Sequence, residues 1–237
     1  NLIINGAMQV AQRGTSSTST GFQTVDRFLI DHGGTDESPT QAQVDVASGT
    51  TPYTSGFRKA LRITNGNQTS GAGSADYMYM KYSFEAQDIA NSGWNYLSSS
   101  SNVTLSFWVK SSVAQSFKAY FQTRDGTLYQ YPFETGSLSA DTWTKVTKTI
   151  SGNSNLTFDN DNGSGLDLYI WSFIGTDYTA SSVTEDAWST YASAARTKDA
   201  TSTWFTTNDA TLEMTGFQLE VSDHATDFEH RSFADEI

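Results

Sequence analysis

The side chains with the most chemistry to offer lie on two alternating segments. Over 116–124, Phe117, Ala119 and Phe121 share one phase, while Lys118, Tyr120, Gln122 and Arg124 share the other. Over 166–173, Leu166, Leu168 and Ile170 alternate with Asp167, Tyr169 and Trp171. If both segments are strands of one sheet, flat rings, a guanidinium, an amide and a carboxylate come onto one face. That combination suits a saccharide, whose C–H faces stack on rings while its hydroxyls pair with bidentate polar groups. Tyr77 with Tyr79 and Tyr129 with Tyr131 form further same-face pairs, and Arg62 stands in the opposite phase to Leu61 and Ile63. The same letters also suit cross-strand pairs or a second core beneath a covering loop. The ligand reading predicts rings pointing outward along a shallow trough, whereas the architectural reading predicts buried ones.

Other chemistries have less to stand on. In DNDNGSGLD, Asp159, Asp161 and Asp167 with Asn160 and Asn162 offer hard oxygens in a glycine-bearing loop, the ligands calcium prefers. The spacing departs from an EF-hand loop, and a polar turn between strands is written in the same residues. Asp159 and Asp161 are therefore weak candidates for a structural Ca2+ site, and no other cofactor is expected. The chain has no cysteine, and His32, His224 and His230 lack zinc-ligand spacing. Neither a nucleophile elbow nor a phosphate-binding loop occurs. Carboxylate pairs such as Glu85 with Asp88, or Glu134 with Asp167, resemble those of a glycosidase, but separation in space decides that chemistry and any acidic chain supplies such pairs. The expectation is a protein that is not an enzyme.

Charge and length bound the partners and the fold. Fourteen basic residues against 26 acidic ones give a net charge of −12, the wrong sign for a phosphate backbone, so nucleic acid is not expected as a partner. No apolar run approaches the roughly 18 residues of a membrane span, and no secretory apolar region is present, so membrane insertion is not expected. A chain of 237 residues is ordinary for one all-β sandwich and buries about 70–75% of its unfolded surface, enough to dispense with disulfides.

Clusters of Ser, Thr, Gly and Asn punctuate short alternating runs, and the runs predict strands at 25–31, 41–47, 58–64, 76–85, 103–111, 116–123, 127–134, 143–150, 166–174 and 211–221. The opening Leu2, Ile3 and Ile4 read as a further strand that breaks at the Asn5-Gly6 turn pair. Within 211–221, Gly216 shifts the phase by one residue, as a bulge glycine does. Only 184–198, TEDAWSTYASAARTK, looks helical. Trp94, Tyr96, Trp188 and Trp204 lie in irregular stretches, either as stacking platforms or as loop anchors. No fixed-period repeat appears. The expectation is an all-β protein: a single jelly-roll β-sandwich of two antiparallel sheets over 1–237, with at most one short helix.

The ends carry a resemblance. The opening NLIINGAM resembles the NL-x-x-NG-x-F/M start of jelly-roll carbohydrate-binding modules of families 4 and 9, which are galactose-binding-like. The pairing of NGAMQVAQRG…VDRF with GFQLEV…ATDFEHRSF is similar to a domain that recurs in bacteriophage structural proteins, particularly tail fibres and other virion appendages. LSFWVKSS (105–112), DTWTKVTKTI (141–150) and DNDNGSGLDL (159–168) resemble that domain in the same order. The resemblance implies a jelly roll in a virion, as a tail-fibre or appendage module that binds a host surface polysaccharide or lipopolysaccharide during adsorption. It further implies contacts with other virion proteins, a homotrimer, and a chain that is a fragment of a longer virion protein. The alternative is a purely structural capsid decoration, cement or tail-assembly domain without a glycan ligand. Modules of the type resembled often hold a structural calcium near the first and last strands, but here Gln9 falls where an acidic residue is usual and Thr215-Gly216 replaces an acidic pair. The resemblance also implies that Trp108 and Trp143 are core. Phe228 is expected to bury against the sandwich edge, with His230 and Arg231 as anchors and Arg231 paired to a carboxylate or carbonyls.

Overall fold

Period-two alternation of apolar residues, seen most clearly in Tyr77–Glu85 where every second side chain is buried, commits the chain to strands with one wet and one dry face. A computed structural model describes residues 1–236. Its strands are β1 (Ser16–Ser17), β2 (Phe28–Gly33), β3 (Thr40–Asp45), β4 (Lys59–Thr64), β5 (Tyr77–Glu85), β6 (Asn102–Ser111), β7 (Lys118–Thr123), β8 (Tyr129–Glu134), β9 (Thr144–Ser151), β10 (Ser164–Ile174), β11 (Ser189–Thr190) and β12 (Thr211–Glu220). They form two six-stranded sheets, in the orders β1-β3-β4-β12-β6-β9 and β11-β8-β7-β10-β5-β2, and every paired neighbour is antiparallel.

The pairings disclose how the chain wraps. β7 pairs with β8, β6 with β9, β5 with β10 and β4 with β12, so the chain from β4 to β12 is one long antiparallel ribbon closed at the β7–β8 hairpin. Successive rungs of the ribbon fall in alternate sheets, which is the wrapped topology of a jelly roll. β2 forms one edge of the second sheet, and β3, with the short β1 outside it, extends the first sheet beyond β4.

Between the sheets lies one contiguous apolar layer. Leu61, Ile63, Leu105, Phe107, Val109, Leu212, Met214, Phe217 and Leu219 from the first sheet meet Phe28, Ile30, Met78, Met80, Phe121, Phe133, Leu168 and Ile170 from the second, all buried. Gly216 behaves as its position predicts. It has φ +68, it sits where the β12–β6 register shifts between Thr215 and Gln218, and the bulge lets both Met214 and Phe217 reach the core.

Three expectations are corrected. Leu2–Ile4 is not a strand, although the Leu2 N–H donates to the Leu219 carbonyl at 2.8 Å and the Ile4 N–H to the Tyr82 hydroxyl at 2.8 Å. Among the described residues there are two short α-helices, α1 (Thr51–Thr54) and α2 (Ala86–Ala90), where at most one was expected. The 184–198 stretch is not helical. The exposed edge of β8 competes with its alanines: Asp186 and Tyr191 donate their N–H groups to the Pro132 and Leu128 carbonyls at 2.7 and 2.9 Å, and β11 pairs with β8 between them.

The start of the chain is held by one side chain. Asn5, fully buried at φ +58, donates to the Val10 and Asp26 carbonyls at 2.9 and 3.0 Å and accepts from the Val10 N–H at 2.9 Å. In the closing segment His230 bonds the Ser55 carbonyl and Arg231 donates to the Asn1 carbonyl at 2.6 Å, as expected of anchors, while Phe228, expected to bury, is half-buried and sits edge-on to Phe57 at 4.8 Å.

Candidate functional site

The outer face of the second sheet gathers the residues singled out above. The register places Tyr169 beside Tyr120 and Asp167 beside Gln122 across β10–β7, and Trp171 beside Tyr79 and Tyr169 beside Lys81 across β10–β5. Seven of the eight expected ligand residues, Lys118, Tyr120, Gln122, Arg124, Asp167, Tyr169 and Trp171, therefore come from the two central strands of that face or the turn just after β7. Arg62 does not join them. It lies on β4 in the other sheet, reaching toward Glu213, whose second oxygen is held by Lys110 at 2.9 Å. Tyr129 and Tyr131 also fall away, because their phase on β8 points them into the main core.

The central rings are not exposed. Tyr120 and Trp171 are 1% accessible and Tyr169 is 9% accessible. The rings of Tyr120 and Tyr169 stack at 4.7 Å and 10°, Trp171 lies 6.1 Å from each, and Tyr79 meets Trp171 edge-on at 4.7 Å. What covers them is the strap 175–206, on which Tyr178 and Tyr191 add rings to the cluster. The strap is tied down along its length. Lys118 Nζ donates to Glu134 on β8 and to Glu185 on the strap, both at 2.9 Å, and Gln130 donates to the Ala195 carbonyl at 2.7 Å. Trp188 donates its indole N–H to the Ser151 carbonyl, and Trp204 is fully buried with its N–H on the Thr211 carbonyl. With Trp94, whose N–H reaches the Ser101 carbonyl, these tryptophans are loop anchors rather than displayed platforms. A second core beneath a strap, the architectural alternative, thus describes the middle of the face.

An open margin remains on the β5 side. Tyr77 and Tyr79, both half-buried, lie nearly parallel at 5.8 Å and 20°, and Tyr178 meets Tyr77 edge-on at 6.2 Å. Together with Arg196 of the strap they line a cavity of about 300 Å³. Burial raises the hydroxyl pKa of both Tyr77 and Tyr79; Tyr79 is raised further because its O–H donates to the Asp31 carboxylate at 2.8 Å, an interaction only the protonated phenol can make. Both are hydrogen-bond donors at neutral pH. The Tyr77/Tyr79 pair was legible as a same-face pair; Tyr178 and Arg196 were not, since nothing in a loop's residue order tells which sheet it will cross.

At the far end of the face Asp167 is buried and fully engaged: Ser164 donates to it at 2.8 Å, Arg124 Nε lies at 3.4 Å, Lys81 Nζ at 3.8 Å, and the Tyr169 hydroxyl at 3.3 Å. Burial together with the Asp167 charge raises the Tyr169 pKa, so that phenol too stays protonated.

The calcium candidates do not fit. Asp161 accepts the Gly163 N–H within its own turn at 2.9 Å, Asp159 is drawn to Asp125 through its backbone N–H, and Asp167 turns to the lysine and arginine just described. Among the described residues no three His, Cys, Asp or Glu side chains gather where a metal could be held. Another open cleft, about 470 Å³, lies on the opposite sheet beside the Gly216 bulge, lined by Phe57, Trp108, Phe228, His230 and Lys145 among others. Trp108 and Trp143, expected as core, are half-buried and pack on the small cluster of Ala7, Val46, Phe57 and Ala60 there.

No protein-family model matches the chain and no curated protein matches it. Among solved structures it is similar to the enzymatically active domain of bacteriophage CBA120 tailspike protein 4, with a TM-score of 0.49 and 9% identity, over 94% of this chain and 21% of that one. It is also similar to a family 11 carbohydrate-binding module from Clostridium thermocellum solved with a mixed-linked tetrasaccharide (TM-score 0.38, 10% identity, 87% and 95% covered). A third is the N-terminal cellulose-binding domain of Cellulomonas fimi β-1,4-glucanase C (TM-score 0.41, 12% identity, 91% and 100% covered). The chain thus spans about a fifth of the tailspike chain and nearly all of the two binding modules.

Proposed function

We propose that this chain is a glycan-binding module of a phage virion appendage, acting by adsorption to a host surface polysaccharide. The observation that carries the binding part is the open margin at Tyr77, Tyr79, Tyr178 and Arg196: parallel rings, phenolic donors and a guanidinium around a cavity of about 300 Å³, on a rigid sheet. The virion part rests on the resemblance of the two ends and of three interior segments to a domain of phage structural proteins. Each stacked ring or bidentate donor supplies on the order of 1 kcal/mol, so useful avidity comes from repetition on the particle. The buried middle of the face assigns Tyr120, Tyr169 and Trp171 to holding the strap, so they support the site from below. The burial of that cluster equally favours a decoration or assembly domain, and one experiment separates the two. Purified chain is tested on an array of bacterial surface polysaccharides, beside a Tyr77→Ala/Tyr79→Ala variant whose unfolding midpoint is checked. Binding lost at least tenfold in the variant with folding retained supports the glycan reading, whereas binding to no polysaccharide leaves the architectural one.

A further inference from the structure

Resting on that reading, we infer that the sugar taken at this margin carries a carboxylate, as uronic, sialic or pyruvylated residues do. The case turns on Arg196. In a chain with a net charge of −12 its guanidinium pairs with no carboxylate: none of the ion pairs among the described residues includes it, and its buried Nε has no hydrogen-bond partner. It is nevertheless held in place. Its backbone N–H donates to the Tyr178 carbonyl at 2.8 Å, and its guanidinium carbon lies 4.6 Å from the Tyr178 ring centroid and 5.9 Å from that of Trp171. A planar cation resting on rings with its Nε buried has its terminal Nη1/Nη2 edge left to meet a planar anion, the end-on geometry of a guanidinium–carboxylate pair.

The neighbouring charges narrow the anion. Lys81 leans toward Asp167, Lys198 toward Glu185, and Lys118 is shared by Glu134 and Glu185, so a single uncommitted cation faces the cavity. Asp31 lies just behind Tyr79 and repels a second negative charge. One guanidinium suits a monoanion and not a phosphate dianion. Behind this lining the Trp171 ring lies 4.7 Å from the Tyr79 ring and 5.9 Å from the Arg196 guanidinium carbon, and its buried indole N–H, like the Arg196 Nε, has no partner, so the surroundings of the margin hold more donors than acceptors. Tyr77 and Tyr79 then supply the wall for the sugar's C–H face, in a cavity sized for one residue of a chain.

The test uses the whole chain on an array carrying each acidic polysaccharide in native and carboxyl-reduced form, with phosphate-bearing polymers alongside. The expected result is at least tenfold preference for the native form, loss of that preference in Arg196→Gln, and partial retention in Arg196→Lys. Binding to the native form should weaken as salt rises from low to physiological concentration, while binding to the reduced form stays flat. Equal binding to native and reduced forms, or preference for the phosphate-bearing polymers, overturns the carboxylate inference while leaving glycan binding in place. Binding to none of the polymers overturns both. Unfolding midpoints of the two variants within a few degrees of the parent show that lost preference is lost recognition.

Discussion

Replacing Asn5 by alanine removes the most concentrated set of polar contacts near the start of the chain, and its cost can be worked from the structure. The side chain makes three hydrogen bonds, to the Val10 carbonyl, the Asp26 carbonyl and from the Val10 N–H, all between 2.9 and 3.0 Å. Truncation removes three bonds in a buried site at about 1 kcal/mol each: it leaves the Val10 N–H and the Asp26 carbonyl without partners, while the Val10 carbonyl keeps the Asp26 N–H at 3.0 Å. Asn5 also sits at φ +58, where alanine pays a further ~1 kcal/mol that asparagine pays less of. The expected total is about 4 kcal/mol. For a chain of this size that is a fall in Tm of roughly 8–16 °C, read by calorimetry and by urea unfolding with an unchanged slope. Asn5→Gly accepts the same φ but loses the same bonds, and its greater unfolded-state freedom offsets the relief, so it should fall within about 1 kcal/mol of the alanine variant. A loss below ~1 kcal/mol for Asn5→Ala would refute the reasoning, because the turn at residues 5–10 would then be held by something other than this amide.

Two further outcomes follow from the same geometry. Gly216→Ala places a Cβ at φ +68 and 2.6 Å from the Phe57 ring, so it should cost about 2–4 kcal/mol through strain and overpacking; an unfolding midpoint equal to the parent's would show that the bulge relaxes freely. Stability should also fall at both extremes of pH. Hydrogen bonding from Lys118 holds the Glu134 pKa below its ordinary 4.5, so that contribution is present above 4.5 and lost as pH falls through the lower folded value. For Lys118 itself, burial pulls the pKa down, but Glu185 and Glu134 outweigh it and raise it above 10.5; its contribution is complete below 10.5 and lost as pH rises through the folded value. Lys118→Met should therefore cost about 1–2 kcal/mol at neutral pH, flatten both limbs of the midpoint-against-pH curve, and speed amide exchange at 181–195. Superimposable curves for variant and parent would sink the clamp.

The residue order alone determined the strands and much of their orientation. Alternation in 166–174 and 116–123 is a local property of the chain, and burying one face of each leaves no choice about which side chains point together. Gly216, Asn5-Gly6 and the closing Phe228 and Arg231 were legible for the same reason: each needs a backbone conformation or a partner that few residues supply. The fate of the outward face was not. Whether Tyr120, Tyr169 and Trp171 meet solvent depends on where the strap 175–206 lies, and that is set by a strand edge more than forty residues earlier that needs hydrogen-bond partners and by Lys118 reaching Glu185. Arg62 illustrates the same limit, since phase tells which face a residue takes within a sheet but not to which of two sheets its strand belongs. Arg196, with no pattern to mark it, became a candidate binding residue only because the folded strap lays an unpaired guanidinium over its own Tyr178 ring and the Trp171 ring of β10. Local periodicity fixes directions of side chains; only long-range closure decides which of those directions remain open.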